Sequence, residues 1–71
     1  MHEAEACLRA AIDADPVDED RYVRLAELLA SDDRPAAALA VLTRARAVAA
    51  ELDVPVSSAV DRIERRVRGG G

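Results

Sequence analysis

Few residues in this 71-residue chain could do chemistry. His2 is its single histidine and Cys7 its single cysteine. Acid–base or nucleophilic work by either needs a second group that orients it or shifts its pKa. No His or Lys is positioned to activate Cys7, and His2 sits at the chain terminus, where fraying is expected. Cys7 therefore reads as a small apolar side chain at a helix interface. One cysteine makes no internal disulfide, and no Cys/His cluster has the make-up of a structural zinc site. Asp13, Asp15, Asp18, Glu19 and Asp20 crowd one turn and could attract a cation. They lack the glycine and ligand spacing of a calcium loop, so helix capping is the better account. Arg62, Arg65, Arg66 and Arg68 gather near a helix C-terminus, where positive charge is favoured. With no Gly-rich phosphate loop and no paired-carboxylate motif, the sequence predicts no catalytic residue, no cofactor and no metal.

The elements that must position these residues are helices. Sixteen alanines and seventeen Leu, Val or Ile supply the apolar half of the chain, and Tyr22 is the sole aromatic. Alanine forms helix best but fills little volume, so the expected fold is all-α with a thin core. Helix is predicted over about 3–14, 19–31, 35–51 and 57–68. The apolar stripes are Ala4, Leu8, Ala11 and Ile12; then Tyr22, Leu25, Ala26 and Leu29; then Ala38, Leu39, Leu42, Ala45, Val48 and Ala49, extended by Val41 and Leu52. Val60, Ile63 and Val67 make the fourth. Asp15-Pro16 ends the first helix, since proline disfavours helix at the residue before it. Asp18 should cap the second, with Val17 and Tyr22 as a hydrophobic staple. Pro35 suits the first turn of the third, and Ser57 caps the fourth. Gly69-Gly70-Gly71 is read as a flexible tail, either a frayed natural end or a remnant of cloning.

Charge is uneven along the chain. Residues 1–33 carry ten acids against three arginines, and residues 34–71 four acids against seven arginines, with no lysine anywhere. A sequence pI of about 4.8 argues against a basic nucleic-acid module. No apolar run approaches the roughly 20 residues of a membrane span, and the acidic start is unlike a signal peptide. The expectation is a cytoplasmic protein with no membrane or direct nucleic-acid contact.

Short links between helices make antiparallel neighbours, hence a stack of helix hairpins. Tyr22, Leu25, Ala26, Leu29, Ala38, Leu42 and Ala45, after Asp15-Pro16, resemble the tetratricopeptide repeat without a gap. Small residues at Ala26, Ala38 and Ala45 let two helix axes approach, and the larger ones fill the space beside them. Asp33 stands where many such repeats place glycine at the inter-helix turn. The first helix fits the same pattern as a second helix without its first, so the chain begins half way through a repeat.

A narrower resemblance covers nearly the whole chain. Leu8-Arg9-Ala10-Ala11-Ile12, Asp15-Pro16-Val17-Asp18-Glu19, Arg24-Leu25-Ala26, Arg34-Pro35-Ala36-Ala37-Ala38-Leu39-Ala40, Arg44-Ala45-Arg46, Glu51-Leu52-Asp53-Val54 and the closing Ser57…Val60…Ile63…Arg65-Arg66-Val67 resemble the C-terminal half of the bacterial transcriptional activator domain. That domain is found in antibiotic-biosynthesis regulators, behind a winged helix that is absent from this sequence. Asp53 replaces the glycine usual after Leu there, so the third helix is expected to end differently.

The resemblance implies a non-enzymatic protein–protein interaction or oligomerisation module. Its partner would be a second copy, as a homodimer, or another regulator segment. Exposed repeat ends associate unless capped, which makes Ala6, Cys7 and Ala10 the candidate self-association surface. The alternative is a stand-alone adaptor. Its groove would be the inner face of the repeat's first helix, at Asp20, Val23, Arg24, Glu27 and Ala30, and its ligand a basic or amphipathic peptide.

Overall fold

Four helices follow one another: α1 (His2–Ala14), α2 (Glu19–Ser31), α3 (Pro35–Glu51) and α4 (Ser58–Gly69). The structure, a computed structural model, describes residues 2–69, without the side chain of His2. The expected behaviour of His2's side chain and of Gly70 and Gly71 lies outside the described residues. Gly69, expected in the tail, is instead the last residue of α4.

The architecture is an antiparallel helix-hairpin stack. α2 and α3 form the most intimate pair, α1 packs on α2 alone, and α4 packs on both α2 and α3. The described chain measures 31 × 28 × 15 Å. A helix with its side chains is about 10–12 Å across, so the stack is barely two helices thick and every helix keeps a face in water.

The core is one cluster: Ile12 from α1, Tyr22, Leu25, Ala26 and Leu29 from α2, Ala38, Val41, Leu42 and Ala45 from α3, and Val60 and Ile63 from α4. Ala26 and Ala38 are fully buried, as close approach of α2 and α3 requires. Tyr22 is the largest buried side chain. Its hydroxyl donates to the Pro16 carbonyl at 2.6 Å, so the one polar atom it takes inside keeps a partner.

Two expected stripe members, Ala4 and Leu52, and one member of the expected staple, Val17, differ. Ala4 is exposed, because α1 begins beyond the edge of the helix it packs on. Leu52 is 50% exposed, because it is the C-cap of α3 and the chain has already turned away. Val17 lines a cleft with Tyr22 yet stays 55% exposed, so the staple covers only one side of it.

Helix ends are made locally. The Asp18 carboxylate accepts the Asp20 N–H at 3.1 Å, the N-cap bond the sequence predicts. Asp33 and Asp53 are the two non-glycine residues with positive φ among the described residues, at 58° and 57°. Each sits one residue past a C-cap in the same double-bonded turn. Arg34 N–H bonds the Leu29 carbonyl at 2.9 Å and Asp33 N–H bonds Ala30 at 3.2 Å; Val54 N–H bonds Ala49 at 3.0 Å and Asp53 N–H bonds Ala50 at 3.2 Å. These are Schellman turns, which usually place glycine at the left-handed position. The expectation that Asp53 would end α3 differently is not met, since aspartate adopts the left-handed conformation that glycine would.

That adaptation has a cost of about 1 kcal/mol per site, partly offset by the extra entropy glycine holds when unfolded. Asp33→Gly and Asp53→Gly should each stabilise the fold by about 0.5 kcal/mol, and Asp33→Val should destabilise it by about 1–2 kcal/mol. Thermal melts followed by circular dichroism test the order glycine, aspartate, valine.

Candidate functional site

α1 owes its position to one seam. Ile12 is buried, and Leu8 and Ala11 are half-buried against α2. Two polar links pin its ends. Arg21 of α2 donates through Nη1 to the Ala11 carbonyl at 2.9 Å, a second bond to an oxygen that also accepts the Asp15 N–H at 3.0 Å. Arg34, in the α2–α3 turn, donates to Glu5 at 2.6 Å, and Arg9 donates to the other oxygen of Glu5 at 3.1 Å. Hydrogen bonds from Arg34 first and Arg9 second hold the Glu5 carboxyl below its ordinary pKa.

The rest of α1 is left uncovered. Ala6, Cys7 and Ala10 are all exposed. The reading of Cys7 as a small apolar side chain at a helix interface is not met by any interface within this chain. Its position turns it away from the Leu8–Ile12 seam, and no second helix comes to that side.

The α2 face singled out as a groove is only partly available. Asp20, Arg24 and Glu27 are exposed, while Val23 and Ala30 are half-buried against the core. Arg24 donates to Asp20 at 2.7 Å across one turn, so these two charges answer each other. Glu19, one residue before, looks inward along the stack. Its carboxylate accepts the Ser57 N–H at 3.1 and 3.2 Å, tying the start of α2 to the start of α4.

A different groove lies between α1 and α3, whose backbones do not approach each other closely. It holds about 410 Å³ and is floored by Ile12, Tyr22, Leu25 and Val41, with Arg9, Asp13 and Arg44 at its rim. The Arg44 guanidinium stands 5.8 Å from the Tyr22 ring centroid, within cation–π range. Sequence reading missed this groove because it depends on the gap between two helices that are not neighbours in the stack.

α4 is anchored by charge as well as by Val60 and Ile63. Arg46 of α3 donates to Glu64 at 2.7 and 3.1 Å and to Asp61 at 2.8 Å, and Arg68 donates to Glu64 at 3.0 Å. Of the arginines grouped at the end of α4, Arg68 thus stays within its own fold, while Arg62, Arg65 and Arg66 are exposed.

Four helices of this length and order, with small residues at the α2–α3 contact, are what the repeat resemblance implies. A family model of the bacterial transcriptional activator domain matches residues 1–68. The chain belongs to that family. Comparison with curated proteins and with solved structures gives no significant match. The bacterial transcriptional activator domain is a regulatory family and not a family of enzymes. No helix among the described residues is long and apolar enough to cross a membrane.

In this activator domain the Arg46–Glu64–Arg68 cluster joins α3 to the last helix, and it makes a pH prediction. Hydrogen bonds from Arg46 first and Arg68 second lower the Glu64 pKa, and Asp61 and Glu64 raise that of Arg46. A carboxylate depressed in the folded state contributes stability above its unfolded pKa. That contribution is lost as pH falls through the folded value. The melting temperature of Glu64→Gln should therefore lie below that of the unsubstituted chain at pH 7, and the two should converge as pH drops below the ordinary glutamate range. The site is solvent-exposed, so the gap should also narrow with added salt.

Proposed function

We propose that this chain is a protein–protein interaction module of a bacterial transcriptional regulator and that it self-associates through the uncovered side of α1. It acts in the cytoplasm, without catalysis, cofactor or direct contact with nucleic acid. The observation that carries the reading is the exposure of Ala6, Cys7 and Ala10 on a helix packed against one neighbour only. Small side chains allow a second helix to approach closely, and an end repeat that is not capped by polar residues tends to associate. A slab 15 Å thick gains a second layer by pairing, and a domain of this size has few kcal/mol to spare without one. The α2 face is the weaker choice, because Arg24 and Asp20 already neutralise each other and Val23 and Ala30 are turned half inward.

Light scattering on a sizing column, over a concentration series with reductant to keep Cys7 from cross-linking, tests this. The expected species is a dimer, and Ala6→Glu with Ala10→Glu should shift it to monomer while leaving the helical signal intact. A monomer at every concentration, or a dimer indifferent to both substitutions, overturns the α1 surface.

A further inference from the structure

Val17, Leu52 and Val54 are the exposed large hydrophobic residues among the described part of the chain, at 55%, 50% and 50%. They are far apart in sequence but line one cleft, together with Glu19, Tyr22, Val48 and Ala49. The α1–α2 link brings Val17 there, and the Schellman turn after α3 brings Leu52 and Val54. Local motifs account for why Val17 and Val54 touch the protein on one side. They do not account for half of each side chain standing in water at the same place, nor for Leu52.

The cleft holds about 50 Å³, far below the roughly 300–1,000 Å³ of a small-molecule site. It fits the tip of an inserted side chain, as at a protein interface. The two segments that carry the patch also carry Asp15, Asp18, Glu19, Asp20, Glu51 and Asp53, and not one Lys or Arg. Asp18 and Asp20 are answered by Arg21 and Arg24. Asp15, Glu51 and Asp53 have no cation within salt-bridge distance among the described residues.

From this we infer that the patch docks a segment of a different protein, an amphipathic one whose apolar side chains enter between Val17, Leu52 and Val54 and whose Lys or Arg residues meet the surrounding carboxylates. Charge decides against a second copy of this chain. A symmetric pair formed through the patch would bring two acidic, lysine- and arginine-free segments against their own copies. The rest of the described surface offers no other exposed large hydrophobic to fill the cleft. Long basic side chains suit the rim, because their alkyl stems cover apolar surface while their charged ends reach the acids.

The test titrates the isotope-labelled 71-residue chain with three synthetic helical peptides. One alternates leucine and lysine faces, one has glutamate in place of lysine, and one has serine in place of leucine. Backbone chemical shifts locate binding and calorimetry measures it. The leucine/lysine peptide should bind saturably, with the largest shifts at Val17, Leu52 and Val54 and their neighbours. Val17→Ser with Leu52→Ser should weaken it at least tenfold, and Asp53→Lys about threefold or more. Val54 is kept because it closes the turn after α3, and a melt of each variant confirms that the fold is retained. Four results overturn the inference: no binding, equal binding of the serine/lysine peptide, shifts confined to α1 or to the α1–α3 groove, or concentration-dependent shifts at Val17 and Leu52 without peptide. The last would make a second copy the occupant. Because the α1 substitutions lie elsewhere, failure here leaves the self-association reading to stand or fall by its own experiment.

Discussion

Replacing Tyr22 by alanine is expected to unfold the domain at room temperature. Tyr22 is 1% exposed and is the largest side chain in a core otherwise built from Ala, Val, Leu and Ile. It stands on α2 where α1, α2 and α3 converge, and the floor of the α1–α3 groove is partly its ring. Truncating a buried aromatic to alanine removes about 3–5 kcal/mol. A single core in a chain this short supplies only about 3–5 kcal/mol in all. The surrounding alanines are too small to collapse into the space. Far-ultraviolet circular dichroism should show loss of most helical signal, with no cooperative melt. Tyr22→Phe separates volume from polarity. It keeps the ring and loses only the 2.6 Å bond to the Pro16 carbonyl, which should cost about 1 kcal/mol and leave a folded protein with a lower melting temperature. A folded Tyr22→Ala variant would mean that the core does not rest on this side chain.

The opposite error, too much volume, should be nearly as damaging at Ala38. This residue is fully buried on α3, in the helix pair with the most extensive contact. Leucine there must push α3 off α2 or take a strained rotamer, at about 1–3 kcal/mol. The neighbouring Ala36 and Ala40 are exposed on the same helix. Ala36→Leu and Ala40→Leu should each change stability by less than about 0.5 kcal/mol. Melts of the three variants together test the register of α3. Equal effects at all three positions would show that α3 does not present Ala38 to α2.

Much of the stack was legible because its signals are local and repeated. Apolar residues at three- and four-residue spacing identified each helix, and Asp15-Pro16 and Pro35 marked breaks that the backbone respects. Asp18 was readable as a cap because the cap bond is made within two residues. Asp33 was readable as the odd residue of a turn that favours glycine. Tetratricopeptide-like small residues at Ala26, Ala38 and Ala45 predicted close contact between α2 and α3, and all three are buried.

Less legible was everything that depends on where a helix runs out or what lies across from it. Ala4 and Leu52 satisfy the periodicity of their helices, yet the neighbouring helix does not extend far enough to cover them. Cys7 looks like an interface residue from its type, but α1 has only one neighbour. Val23 and Ala30 belong to a plausible groove in the repeat pattern, and packing against the core turns them half inward. The bonds from Arg34 to Glu5, from the Ser57 N–H to Glu19 and from Arg46 to Glu64 join residues at least 18 apart in the chain, where no spacing rule operates.

By itself, then, the sequence determined the helices, their breaks, the α2–α3 contact and the kinship with the bacterial transcriptional activator domain. All of these follow from short-range periodicity, capping and residue size. Only the tertiary structure decided which surfaces are open. It left one side of α1 bare, opened a groove between α1 and α3, and brought Val17 beside Leu52 and Val54. Exposure is a property of what fails to cover a residue, and that is set by the lengths and crossing of several helices at once rather than by the residue's own neighbours in the chain.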